Sequence, residues 1–153
     1  KCLILRRCHP WWQRLREREA LVEIKVKDEE IFLTLLALRA DPLLVEVMAW
    51  CAFIKEYPLV ITDFFRKGDR GVHGTKPVRG IDLRSSIFND PRSIEFDINS
   101  NWIYDNTRPD KQVALYHDAG SGYHFHLQVH PYTEFVGPQQ EFVQMQKVLA
   151  GLI

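Results

Sequence analysis

The chain has 153 residues, of which 46% are apolar and 26% charged, enough for one domain with a core and too short for two of ordinary size. Its 20 Lys and Arg balance its 20 Asp and Glu, so no global charge points to nucleic acid, an anionic membrane or an acidic substrate. The balance is uneven along the chain: residues 1–27 hold eight basic and three acidic side chains, a net +5, which leaves −5 on residues 28–153.

The expected organisation is a basic, flexible leader over residues 1–19, containing Trp11 and Trp12, followed by one folded domain over 20–153. Composition of this kind suits an unstructured tail better than a nucleic-acid site. Cys2, Cys8 and Cys51 form no Cys-x-x-Cys and no disulfide framework, which fits folding in a reducing compartment. No apolar run reaches the roughly 18–20 residues of a membrane span. The apolar stretch at 2–5 is too short for a signal peptide and is followed by Arg6-Arg7, so synthesis in the cytoplasm is expected.

Val22, Ile24 and Val26 alternate with Glu23, Lys25 and Lys27, the period of a half-buried strand or an extended arm. Asp28 can cap a helix near 29–40, on which Ile31, Leu35 and Leu38 share a face. Asp41-Pro42 repeats that grammar and opens a buried helix running to Ile54, closed by Tyr57-Pro58. The run Leu59-Val60-Ile61 reads as a strand leading into a polar, glycine-containing loop at 64–71. Ile81 and Leu83 alternate with Gly80, Asp82 and Arg84, a strand on which Asp82 points away from the apolar face. Asp90-Pro91 begins a helix with Ile94, Ile98 and Trp102 on one side. Strands at 113–116 and 123–129 flank the turn Asp118-Ala119-Gly120-Ser121-Gly122, and Pro138 opens a last helix with a stripe of Phe142, Met145, Val148 and Leu152. Helices first, a small antiparallel sheet later and no regular βαβ alternation give the α+β class.

Four of the six histidines lie between 117 and 130. On a strand, His124, His126, Gln128 and His130 share one face, while Tyr123, Phe125, Leu127 and Val129 share the other. Imidazoles at i and i+2 have Cβ atoms about 6.5–7 Å apart and can converge on one ion or one substrate atom. A lone His-x-His suits the solvent face of an edge strand equally well. Here His73, on a glycine-flanked loop, and Asp82, on the polar side of a strand, add a nitrogen and an oxygen donor. With His126 they make three ligands for Zn2+, leaving a fourth position for water, the arrangement of a catalytic rather than a structural site.

These residues resemble the His…Asp…His zinc site of peptidase M15, the D-alanyl-D-alanine carboxypeptidase and endopeptidase family that includes phage lysins. The matching segments are Gly80-Ile81-Asp82-Leu83-Arg84 and His124-Phe125-His126-Leu127-Gln128, with Ile61-Thr62-Asp63-Phe64-Phe65-Arg66 similar to the family's strand ending in a substrate-binding arginine. The resemblance spans roughly residues 28–135. It implies a Hedgehog/DD-peptidase-like fold, His73, Asp82 and His126 as zinc ligands, His124 as the catalytic imidazole and Arg66 as a clamp for a substrate carboxylate. The implied substrate is a peptidoglycan stem peptide, and the implied setting is a phage-encoded protein released to the cell wall. The interval from His73 to Asp82 is two residues longer than is usual in the family. Tyr123 stands where many members carry a carboxylate base, leaving Asp118 and Glu134 as the nearest carboxylates in sequence.

Two other readings stay open. The segment His124–Val129 also resembles the His-φ-His-φ-Gln pattern of histidine-triad nucleotide hydrolases and transferases, in which His126 would attack an α-phosphate. That reading gives His73, Asp82 and Arg66 no task. The third is a non-catalytic, metal-binding phage structural module. Arg79, Arg84, His117 and His130 fall outside the expected site, the arginines as solvated surface.

Overall fold

The computed structural model describes residues 24–27, 39–120 and 122–152. The basic leader, Val22 and most of the helix expected near 29–40 lie outside the described residues. At that helix's expected end, Arg39 has φ 56° and Ala40 forms a β-bridge to Val78, so neither is helical.

The described elements are β1 (Ile24–Val26), α1 (Pro42–Ala49), β2 (Leu59–Asp63), β3 (Gly80–Arg84), α2 (Pro91–Asn101), β4 (Trp102–Ile103), β5 (Ala114–Asp118), β6 (Tyr123–Gln128), β7 (Glu134–Phe135) and α3 (Gln139–Leu152). The class is α+β; the described residues form three α-helices, one five-stranded sheet in the order β1-β2-β3-β6-β5 and a two-stranded sheet of β4 and β7. The main sheet is mixed, which corrects the expectation of a purely antiparallel one. β1 runs parallel to β2, and the other pairs are antiparallel. Parallel neighbours need a long crossover, and the chain between these two strands supplies one through α1.

Helix starts follow the sequence closely. The Asp41 carboxylate accepts from the Leu43 N–H at 3.0 Å, and the Asp90 carboxylate from the Ser93 N–H at 3.2 Å, with Pro next in each case. Beyond Ala49 the helix widens into a π-turn over Trp50–Ile54, whose Trp50, Cys51 and Ala52 are buried.

The core lies against one face of the main sheet. Ile61, Ile81, Leu83, Phe125 and Leu127 point from it towards Leu44, Val47 and Trp50. Trp50 meets Trp102 edge-on at 6.4 Å and Phe135 at 6.0 Å, and its indole N–H donates to Glu141 at 2.9 Å, which ties α1 and its π-turn to the small sheet and α3.

Three further expectations change. Trp102 is not the last turn of α2: at φ −130°, ψ 125° it begins β4, and the extended backbone carries its ring into the aromatic cluster. On α3, Leu149 rather than Val148 packs on the core beside Phe142 and Met145. The histidine strand stops at Gln128, because Pro131 supplies no N–H and the chain turns there, with Thr133 N–H donating to the His130 carbonyl at 2.9 Å. His130 thereby leaves the shared face, and its Nδ1 lies 3.3 Å from Asp105.

Candidate metal centre

The face of the sheet opposite the core carries the candidate site. Pairing sets His126 between Asp82 and Leu115, and His124 between Arg84 and His117, in two adjacent cross-strand rows. Alternation along β3 and β6 sends Leu83, Phe125 and Leu127 to the core and these side chains to the other side. A break in register between Ile61 and Asp63 turns the end of β2: Ile61 stays in the core opposite Leu83, while Asp63 comes opposite Asp82. Irregularities of this kind re-aim a side chain that regular pleating would send elsewhere.

His73 reaches the sheet from the loop after β2. It sits in a single 3-10 turn, Val72–Gly74, held from both sides: Arg66 N–H donates to the His73 carbonyl at 3.1 Å, and Arg79 N–H to the Val72 carbonyl at 3.1 Å. Gly80 makes this approach possible. A Cβ there would stand 2.4 Å from Val72 Cγ2 and 3.3 Å from His126 Cε1, so only glycine lets the turn lie on the strand beside the imidazole. Gly74 is equally constrained, since a Cβ would fall 1.8 Å from the Asp69 carbonyl oxygen. Between His73 and Asp82, Thr75 accepts from Arg79 N–H at 3.1 Å and donates to Val72 O at 2.9 Å, and the Lys76–Pro77 bond is cis.

Three donor atoms converge. Asp82 Oδ1 lies 2.8 Å from His126 Nδ1 and 3.2 Å from His73 Nε2, and the two nitrogens are 3.1 Å apart. Bonds of about 2.0–2.2 Å around a tetrahedral Zn2+ give donor–donor edges of roughly 3.3–3.5 Å, so the triangle fits such an ion after an outward shift of a few tenths of an ångström. His73 Nδ1 lies 2.7 Å from the Phe64 carbonyl, which can only accept, so Nδ1 carries the hydrogen and Nε2 is the atom turned inward. Among the described residues this is the group of histidine, cysteine and acidic side chains with donor atoms mutually within 4.8 Å. The donor set suits a divalent metal.

Burial sharpens the electrostatics. The side chains of His73 and Asp82 are 3% and 5% exposed and that of His126 15%, so the triangle opens towards solvent on the β6 side. Burial pushes the Asp82 carboxyl up, yet hydrogen bonds from His126 and His73 outweigh it and hold the group well below the usual carboxylate range. Burial also pushes His73 down, and its contacts with Asp82 and the Phe64 carbonyl reverse this and raise it above an ordinary imidazole. A buried carboxylate with two imidazoles aimed at one of its oxygens is costly as a purely structural device, and such clusters concentrate at functional sites.

The other expected residues fall around the triangle. His124 Nδ1 lies 3.1 Å from the Gly122 carbonyl, which sets its hydrogen on that side and turns Nε2 towards Asp82 Oδ1 at 3.8 Å. Arg66 donates through Nε to Asp63 at 2.6 Å and through Nη2 to Asp82 Oδ2. Two edges of its guanidinium are therefore committed within the protein, with Oδ2 held by Arg66 and Oδ1 left for the triangle. Tyr123 lies on the far face of β6, its ring 5.0 Å from that of Tyr116. The Asp118 carboxylate is taken up by the turn amides of Gly120 and Gly122, and Glu134 sits in the small sheet near Asn106 at 3.3 Å, so neither replaces a base at the Tyr123 position.

Sequence reasoning left three participants out. His117 stands across from His124, with ring centroids 4.9 Å apart, and 6.2 Å from the ring of His126. Strand pairing was the available signal, because the turn at 118–122 sets 117 opposite 124. Asp63 and the Phe64 carbonyl, which orient Arg66 and His73, depend on the break in β2 and had no local signature.

No family model matches the chain, and no curated protein or solved structure matches it.

Proposed function

We propose that the protein is a zinc-dependent peptidase hydrolysing amide bonds of bacterial peptidoglycan stem peptides, with the fold of the Hedgehog/DD-peptidase type that its motifs resemble. The observation that carries the reading is the convergence of His73 Nε2, Asp82 Oδ1 and His126 Nδ1 from a loop and two strands within 3.2 Å of one another. When bound at such a site, zinc supplies a Lewis acid that polarises an amide carbonyl and lowers the pKa of water. The chain's own residues do the rest. The Phe64 carbonyl fixes the tautomer of His73, and Arg66 fixes Asp82 by its outer oxygen. His124, with Nδ1–H on the Gly122 carbonyl and Nε2 towards the open side, would take a proton from the attacking water at Nε2 and return that proton to the leaving amine.

The histidine-triad reading explains His124 and His126 but not why His73 is buried against them. The metal-binding module without activity shares the site and differs only in turnover. Purified protein is therefore incubated with peptidoglycan fragments, with and without a chelator, and the products are weighed by mass spectrometry. Amide cleavage that stops with the chelator and returns with zinc is expected, with His124→Ala lowering it about 10²–10⁴-fold while zinc stays bound. Chelator-insensitive hydrolysis of a dinucleoside polyphosphate would favour the triad reading, and zinc binding without any cleavage the inactive module.

A further inference from the structure

The row beside the metal triangle pairs two more imidazoles. His117 on β5 and His124 on β6 are direct cross-strand partners, with ring centroids 4.9 Å apart and planes at 51°. His73 and His126, which share the metal triangle, stand at 4.8 Å and 55°. The second pair thus repeats the ring geometry of the first. Two imidazoles bound through nitrogen to one tetrahedral ion, at bonds of about 2.0–2.1 Å, have ring centres roughly 5.2 Å apart, so a small outward movement opens room for a cation between them. His117 is exposed, and its side chain makes no hydrogen bond or ion pair with a described residue, which leaves its ring free to turn. His124 keeps its hydrogen on the Gly122 carbonyl, and its Nε2 is the lone-pair nitrogen, 3.8 Å from Asp82 Oδ1.

We propose that His117 and His124 form a second site for a late first-row divalent cation such as zinc, and that an ion held there takes the nitrogen on which turnover depends. The binding itself stands on the paired rings alone, and the inhibition rests on the peptidase reading. Imidazole is a ligand that zinc, copper and nickel accept and that magnesium and calcium pass over for oxygen. The site is weaker than the triangle for three reasons. It has two protein donors and no carboxylate of its own, because Asp118, next to His117, is taken up by the turn amides of Gly120 and Gly122. Positions i and i+2 of a strand lie about 6.5–7 Å apart, so filling both rows sets two dications at a distance of that order. Arg84, paired with His124 from β3, adds a further positive charge. The second site therefore fills only after the triangle, and zinc that activates when scarce inhibits in excess.

The test is calorimetric titration of zinc into protein already holding one equivalent, with the ring nitrogens followed by NMR and hydrolysis of peptidoglycan fragments scored separately over the same zinc series. Wild type is expected to bind a second ion about a hundredfold or more weakly than the first, since altering even a residue behind a ligand costs about 10–100-fold in metal affinity. That second event is expected to shift the ring resonances of both His117 and His124, and magnesium to give neither event nor shift. His117→Ala, at an exposed position, is expected to keep the first ion and to weaken the second at least about tenfold. Hydrolysis is expected to fall as the second site fills and to return when free zinc is buffered down. No second event up to millimolar zinc, a second event equally strong in His117→Ala, shifts confined to other histidines, or hydrolysis undiminished with both ions bound would overturn the proposal. A second ion on His117 and His124 of a protein that cuts no fragment at any zinc level would retain the cation site while the peptidase reading failed.

Discussion

Asp82 faces two demands at once. Its inner oxygen meets two imidazoles and its outer oxygen meets Arg66, all at 5% side-chain exposure. Without a metal, that crowd is held together by protons, and the pH dependence follows. Asp82 titrates below its unfolded value of 3.8, so its contribution to stability is present above that value and is lost as pH falls through the lower folded value. His73 titrates above its unfolded value of 6.5, so its contribution is complete below 6.5 and is lost as pH rises through the folded value. Chelator-treated protein is thus expected to gain most from this pair between about pH 4 and 6.5. The proton on His73 competes with a metal, so metal affinity falls as the solution is acidified. Thermal melts in chelator from pH 3 to 9 check this; a melting temperature that climbs steadily from pH 6 to 8, or one unaltered in shape by Asp82→Asn, would contradict it.

At the scale of elements, three devices bring the donors together: the register break at the end of β2, the glycine at the start of β3, and the hairpin of β5 and β6. The hairpin was legible, because alternating His124 to Gln128 and a glycine-bearing turn specify strand, face and partner. β3 was legible too, since Ile81 and Leu83 alternate with Asp82. The break in β2 was not, because Thr62 and Asp63 look alike whether the strand is regular or kinked. Trp102 was misplaced because the apolar spacing of α2 continues one residue past the point where the backbone extends. Gly80 gives this scale its test. Gly80→Ala places a methyl 2.4 Å from Val72 Cγ2, forcing the His73 turn off the sheet. It is expected to cost about 1–3 kcal/mol in urea unfolding, in the range of overpacked sites, and to weaken zinc binding although no donor is changed. Wild-type stability with wild-type zinc affinity would show that the turn does not depend on this contact.

Across the whole molecule, the main sheet separates two tasks. One face is closed by α1, its π-turn and α3 around Trp50, and the other holds the polar cluster under the 64–79 loop. The free edge of β5 is covered by α2, whose Asn99 exchanges hydrogen bonds with Ala114 at 2.8 and 2.9 Å and whose Glu95 accepts from Tyr116 N–H at 2.6 Å, which removes a template for strand pairing next to the site. The α+β class followed from the order of elements in the sequence. The parallel β1 did not, since it depends on a crossover through residues whose own patterning names no sheet partner. Among the described residues no helix is long and apolar enough to cross a membrane.

Whether His73, Asp82 and His126 hold one metal ion together is tested directly by elemental analysis after dialysis against buffered zinc. Wild-type protein should retain about one zinc per chain and melt at a higher temperature with zinc than with chelator, since a ligand at a hundred times its Kd adds about 2.7 kcal/mol. Asp82→Ala and His73→Ala should each lose both the zinc and the shift. A His73→Ala protein that keeps a full equivalent of zinc and the same thermal shift would show that these three side chains do not share a metal ion.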